Sequence, residues 1–362
     1  MTDVKYIAMH LPQFHPIPEN DAWWGAGFTE WTNVTKARPR FRGHEQPQLP
    51  ADLGYYDLRL PEARHAQAAL AHRYGIDGFC YYHYWFAGQR LLERPVNEIL
   101  SSGAPTFPFC LCWANESWTR RWDGGAHDVL IAQQYSEADD IAHFNWLLSA
   151  FRDPRYIRVE GKPLFLIYRA QDVTTLRHLT ATWQRLAREA GLPGLCLINV
   201  RNGWSEHLDP RDLQLQGSMK FHPFWPTVDH VFAAQQRRSV PARVRTLLGT
   251  ARTGDRVISY PRYVDAAMAA TPPDYLEFPS VVPRWDNSPR RARDATILHG
   301  STPALFGRWL QHETQRAQQL PTEHRIVFVN AWNEWAEGNH LEPDLRHGLS
   351  YLEAVRHAKT LR

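Results

Sequence analysis

The chain has 362 residues, 43% of them hydrophobic and 22% charged, with a formal net charge of +3. That balance supports a large globular core and excludes a disordered or collagen-like polymer. No apolar run approaches the length of a membrane span, and no recognition-helix or RNA-binding signature accompanies the basic residues, which argues against an integral membrane segment and against nucleic acid.

The opening MTDVKYIAMHLPQF enters a strand at residues 6–9 without a long apolar leader, so the expected location is cytoplasmic. Residues 11–50 follow with no helical period. A loop this long and this rich in Pro, Gly and Trp is more often functional than a mere connection. A helix is predicted over 61–74, opened by Pro61 and closed by Gly75. The strand IDGFCYYHYWF carries Tyr82, His83, Tyr84 and Trp85 at its C-terminal end. A short helix over 91–100 leads to FPFCLCWANESW, a third strand ending in Trp113, Asn115, Glu116 and Trp118.

Ser136 is placed to cap the next helix, with Asp139 at the third helical position. A fourth strand is expected at 163–168, ending in Tyr168 and Arg169. Asp172 is the expected cap of a long helix whose buried stripe is Leu176, Leu179, Trp183 and Leu186. A fifth strand spans 195–200 and a weaker sixth lies near 213–219. Residues 225–275 are less legible and hold a helix, an excursion, or both. The seventh strand, 280–282, is followed by Trp285, Asp286 and Asn287. Thr302 and Pro303 open another helix, and the eighth strand is the apolar run 326–329. A closing helix covers 348–359.

Eight strands alternating with helices predict an α/β fold, a single-domain (β/α)8 TIM barrel with long βα loops spanning 1–362. An open doubly wound sheet is the alternative, but no G-x-G-x-x-G or Walker loop follows a strand. Polar and aromatic clusters at the C-terminal ends of several strands would converge on one barrel rim. The four cysteines, Cys80, Cys110, Cys112 and Cys196, each sit in an apolar strand-like run and read as buried free thiols.

The rim would gather Glu116, Asp286, Glu334 and Glu337. Cleaving a glycosidic bond requires one carboxylic acid to protonate the leaving oxygen and one carboxylate to support the oxocarbenium-like centre. Fifteen Trp, fourteen Tyr and sixteen Phe exceed what the core requires, and flat aromatic surfaces suit the apolar faces of sugars. Glu334 and Glu337 are the candidate catalytic pair, with Glu116 a rival acid or a sugar contact. His10, His15 and His83 are candidate hydroxyl contacts. The remaining candidate substrate contacts are Glu30, Trp31, Tyr82, Trp85, Trp113, Asn115, Trp118, Tyr168, Trp285, Asp286, Asn333 and Trp335. His340, Glu342 and Asp344 alternate, but a solvated loop is the expected reading and no metal site is assigned. Only five of 41 basic residues are lysine. The arginine clusters at 237–256 and 284–293 read as solvated faces, the alternative being an anionic partner such as a sugar nucleotide, a lipid-linked glycan or a membrane surface.

Taken jointly, LPQFHP, GFTEWTNV, GFCYYHYWF, FCLCWANESWTRRWDG, GKPLFLIYR, PRWDN and VFVNAWNEWAEGNHLEPD resemble the WbsX-type family. Its members are often called glycosyltransferases, and it is similar to family 99 glycoside hydrolases, the endo-α-mannosidase group. The resemblance covers residues 5 to about 358. It implies a (β/α)8 barrel, no metal, no organic cofactor and an oligo- or polysaccharide substrate. By the N-E-W-x-E-G segment it implies that Glu334 is the general base and Glu337 the general acid. The implied route is retention through a 1,2-anhydro sugar. Outside that segment the match to the hydrolases is loose, so mannose specificity and the endo mode do not carry over. Transfer from an activated donor in O-antigen or exopolysaccharide biosynthesis, and non-catalytic glycan binding, stay open as alternatives.

Overall fold

The computed structural model describes residues 2–120, 125–203, 208–237 and 254–360. Its centre is a nearly closed ring of nine parallel strand segments: β1 (Lys5–His10), β2 (Gly78–Phe86), β3 (Phe109–Trp113), β4 (Lys162–Ile167), β5 (Cys196–Arg201), β6 (Gly217–Lys220), β7 (Glu277–Phe278), β8 (Ser280–Val281) and β9 (Ile326–Val329). The hydrogen-bonded order runs β7, β6, β5, β4, β3, β2, β1, β9, β8. The two ends meet through Pro279: β8 falls in the expected seventh strand, 280–282, and β7 lies just before it. Proline has no N–H for the ladder, yet its carbonyl still accepts from Phe328 at 2.9 Å.

β3, β8 and β9 are buried at every position, as befits strands covered by helices outside and by the barrel interior within. The helices Pro61–Arg73, Arg94–Ser102, Glu137–Phe151, Leu176–Glu189, Pro303–Gln318 and Ser350–Thr360 lie between or after the strands. Pro61 and Pro303 stand at first helical positions, and the Ser136 and Thr302 hydroxyls accept from Asp139 and Leu305 backbone N–H groups. Cys80, Cys110, Cys112 and Cys196 are buried and unbridged.

Some local expectations change. The loop after β1 contains two seven-residue helices, Pro18–Trp24 and Glu30–Lys36, too short to show a hydrophobic period. Asp172 does not cap the helix Leu176–Glu189: it closes a 3-10 turn, Ala170–Asp172, and binds Arg169. β6 begins at Gly217, four residues later than the expected 213. The excursion supplies the helix Trp225–Arg237, the strand Arg256–Ser259 and the helix Tyr260–Met268. That strand joins Thr296–His299 and Trp285–Asp286 in a small sheet beside the rim. Residues 238–253, most of the first arginine cluster, lie outside the described residues. No described helix is long and apolar enough to cross a membrane.

Candidate active site

β9 delivers the chain to the rim at Asn330. Asn333–Glu334 pairs antiparallel with Asn339–His340, and between them Trp335–Glu337 forms one 3-10 turn. The Glu334 and Glu337 carboxylates face the same way, both reaching Arg290. The turn ends in Gly338 at φ +56°, and a Cβ there would stand 3.0 Å from Asp286 Cβ, which leaves glycine as the residue that fits. Asn333 ties this segment to β1. Its Oδ1 accepts from Leu11 N at 2.7 Å and its Nδ2 donates to Leu11 O at 3.0 Å.

Facing the two glutamates is Arg290, on a 3-10 turn (Ser288–Arg290) that follows the strand Trp285–Asp286. Its Nη2 donates to Glu334 Oε1 at 2.6 Å and to Glu30 Oε1 at 2.7 Å, and its Nη1 lies 3.0 Å from Glu337 Oε1. Glu30 is fully buried at the first position of its helix and also accepts from Ala336 N at 2.9 Å. Three carboxylates therefore share one guanidinium. Burial pushes the Glu334 and Glu337 carboxyls up, and Arg290 opposes the rise. The neighbouring charges of Glu337 and Glu30 add to the rise at Glu334, and that of Glu30 adds to the rise at Glu337. The Glu337 side chain is 21% exposed and that of Glu334 only 7%, so Glu337 is the more open toward solvent.

Both glutamates border a cavity of about 290 Å³. Tyr82, Glu116, Trp118 and Tyr168 line it too, as do Trp24, Tyr84, Asn287, Asn330 and Arg291 from outside the sequence-derived set. Glu116 accepts from Arg169 Nη1 at 2.8 Å. Trp118 packs edge-on to Tyr84 at 5.2 Å.

The other candidates stand behind this wall. Along β2 alternate residues point to opposite faces: Tyr82 and Tyr84 reach the cavity, whereas His83 and Trp85 pack against the helix Glu137–Phe151. His83 Nε2 lies 2.9 Å from His143 Nε2, and Trp85 stacks on His143 at 4.5 Å while donating to Asp139 at 2.9 Å. Trp113 is buried among His143 and Trp183. Asn115 binds Arg169 backbone N and O at 2.8 and 3.0 Å, fixing the strand end below Glu116. His10 is buried against Gln67 at 3.2 Å, and burial lowers its pKa to about 3, so it is neutral. His15 is buried outside the cavity lining.

Trp31 donates to Tyr56 O at 2.9 Å and packs on Trp335. Trp335 stacks on His340 at 3.6 Å and donates to Glu342 at 2.6 Å. Trp285 is buried against Trp225. Asp286 lies 2.7 Å from His44 Nε2 and accepts from Gln46 and from Ser288 N. Burial works against its charge, yet those donors hold its carboxyl below the usual carboxylate range. Asp286 thus braces the turn that carries Arg290.

The arginine cluster at 284–293 is not simply a solvated face. Arg284 is buried and pairs with Asp344 at 2.6 Å, and Arg290 anchors the acid cluster; Arg291 and Arg293 are exposed. The alternating His340, Glu342 and Asp344 are buried in a shared network, with Arg284 contacting both His340 and Asp344, and Trp335 both His340 and Glu342. Glu342 accepts from Tyr56, Trp335 and Gln67, and burial raises its pKa to about 7. Among the described residues no group of three or more His, Cys, Asp or Glu is arranged to hold a metal ion.

A family model described as Glycosyltransferase WbsX matches residues 6–355. The chain belongs to the WbsX glycosyltransferase family. Two uncharacterised WxcX proteins of Xanthomonas campestris pv. campestris, from strains ATCC 33913 and B100, are each 45% identical over 356 residues, 98% of this chain and 49% of theirs. This WbsX chain thus spans about half the length of the curated relatives it matches. Among solved structures, the GH99 endo-α-mannosidase of Bacteroides thetaiotaomicron aligns with a TM-score of 0.59 at 14% identity, covering 99% of this chain and 97% of that one. A glycoside hydrolase-like protein aligns at 0.59 with 12% identity, covering 100% and 95%. At such identities the likeness is one of fold, and it bears out the TIM-barrel expectation.

Proposed function

We propose that this WbsX chain is a glycan-active enzyme in which Glu334 and Glu337 cleave or transfer a glycosidic linkage with retention. The observation that carries the reading is the convergence of Glu334, Glu337 and Glu30 on Arg290 at the edge of an aromatic-lined cavity. The solved structures that share its fold carry hydrolase names, which suits the same chemistry.

Glu334, as base, takes the proton of the sugar 2-hydroxyl. That oxygen attacks C1 as the C1–O bond to the leaving group breaks, and Glu337 gives its proton to the departing oxygen. The 1,2-anhydro sugar is opened when Glu337, now a carboxylate, deprotonates water or an acceptor hydroxyl that attacks C1. The epoxide oxygen recovers a proton from Glu334, so both carboxyls return to their starting states. Back-side attack by O2 requires O2 and the leaving oxygen to be trans, so the substrate is a 1,2-trans glycoside. Arg290 positions both carboxyls and offsets the charge that shifts between them.

Glu334→Gln and Glu337→Gln, assayed separately on a panel of 1,2-trans-linked bacterial polysaccharides, each lose on the order of 10²–10⁴-fold in turnover. NMR of the first-formed product shows the retained anomer. Full turnover by either variant, or an inverted first product, contradicts the assignment. Transfer is the second reading: the matched family carries a glycosyltransferase name, and an acceptor hydroxyl can open the same intermediate. A product carrying the acceptor, lost in Glu334→Gln, identifies it.

A further inference from the structure

A second groove, of about 410 Å³, adjoins the catalytic cavity and shares Trp24, Arg290 and Arg291 with it. Its remaining wall includes Phe28, Lys36, Arg38 and Arg40, and no Asp or Glu lines it. Five cations border it, but two are committed. Arg290 holds the carboxylate cluster. Arg40 pairs with Asp255 at 2.8 Å and donates to the backbone carbonyls of Ser288, at 2.8 Å, and Arg291. It therefore fastens the loop after β1 to the turn carrying Arg290 and forms part of the groove's frame.

Lys36, Arg38 and Arg291 are different. All three side chains are exposed, and none has an ion-pair partner among the described residues. Lys36 and Arg38 stand uncompensated, and with Arg291, whose charge also acts on Glu337, they set three exposed cations around one concave surface, a local positive potential in a chain whose net charge is only +3. Two of them are guanidinium groups, whose planar forks match carboxylate and phosphoryl oxygens. Trp24 borders both spaces, so a glycan seated beside Glu334 and Glu337 can pass its indole and reach the cations.

We propose that this groove is a subsite for an oxyanion carried by the glycan next to the linkage that reacts, held by Arg38 and Arg291 with Lys36 adding charge. The substrate is then an acidic glycan, its oxyanion being a sugar carboxylate or a phosphoryl group at the sugar terminus. The inference deepens the glycan-active reading above, but its test reads binding rather than turnover.

Calorimetric titration compares β-1,4-linked diglucuronate, a 1,2-trans glycoside, its carboxyl-reduced neutral counterpart and inorganic pyrophosphate on the full chain, at low and high salt. At least one anionic probe binds about tenfold or more tighter than the neutral one, a difference of about 1.4 kcal/mol. High salt and the Arg38→Ala/Arg291→Ala double variant each remove most of that preference. Both residues are exposed, and an unchanged Tm confirms that the variant folds. Preference for diglucuronate assigns the oxyanion to uronic-acid sugars, and preference for pyrophosphate assigns it to a phosphoryl-linked donor. Equal binding of anionic and neutral probes, or an undiminished preference in the double variant, overturns the subsite. Glu334→Gln retains the anion preference, so a failure of the catalytic assignment leaves a different signature from a failure of this one.

Discussion

Two regions of the barrel concentrate aromatic and titratable side chains, and they are built on opposite principles. At the rim, Glu30, Glu334 and Glu337 crowd one arginine beside a cavity. Behind β2, His83 stacks on Trp146 and Trp85 on His143 with near-parallel ring planes, and the hydrogen bonds of the cluster are internal, away from the cavity. In the first region charge is packed at an energetic cost and opened to a ligand. In the second, burial, aided by the Arg90 charge, drives both imidazoles well below their ordinary pKa, so they are neutral. Chemical density alone does not mark a site; charge crowded beside open space does.

The largest expected difference between the regions is in catalysis. The Gln variants of Glu334 and Glu337 lose on the order of 10²–10⁴-fold in turnover with Tm unchanged or raised, because a buried carboxylate is replaced by a neutral isostere. Equivalent losses from Trp85→Phe would erase the distinction.

Stability gives the second. Arg290→Ala leaves three carboxylates without their cation and costs about 3–5 kcal/mol, read as a lower urea midpoint. Arg290→Lys recovers only part of it, since an ammonium lacks the fork that reaches Glu30, Glu334 and Glu337 together. No change in midpoint for Arg290→Ala would mean that the cluster is not electrostatically coupled.

Opposite pH slopes are the third. The folded-state pKa values of Glu334, Glu337 and Glu342 are raised from 4.5, that of Glu342 to about 7. Through that range the folded state binds more protons than the unfolded one, so stability falls as pH rises from 4.5 through 7. His83 and His143 are depressed from 6.5. The stability tied to their neutral forms is present above 6.5 and lost as pH falls below it. Urea midpoints against pH show a dome whose alkaline side flattens in Glu342→Gln and whose acid side flattens in His83→Phe. Identical profiles for both variants would contradict the contrast.

The smallest effect is Trp85→Phe, which removes the hydrogen bond to Asp139. It costs about 1 kcal/mol and leaves kcat/KM within about twofold of the parent. A larger change in kcat/KM would place this outward-facing residue in the catalytic machinery.

Most of the barrel is legible in the sequence because buried parallel strands are short β-branched and aromatic runs, and 163–168, 195–200 and 326–329 are such runs. β6 is harder, since Gly217 and Ser218 carry no hydrophobic signal. β7 is only two residues long. The short helices after β1 are set by tertiary contacts, Glu30 with Arg290 and Trp31 with Tyr56, and not by periodicity. The Glu334–Glu337 pair stands out because two acids lie between indoles. Arg290 does not: in the string SPRRARD nothing separates the arginine that turns inward from the two that stay exposed. The placement of Ser288–Arg290 on a turn just past a strand at the rim is the available hint. The alternation of β2 likewise predicts that Tyr82 and His83 face opposite ways, and it is the better guide than their shared polarity.

A crystal structure of the Glu334→Gln protein holding an intact glycan would show directly whether the two glutamates act as base and acid. The substituted amide at position 334 is expected within about 3 Å of the sugar 2-hydroxyl and the Glu337 carboxyl within about 3 Å of the glycosidic oxygen. A glycosidic oxygen that meets Glu116 instead, with Glu337 still bound only to Arg290, would contradict those roles.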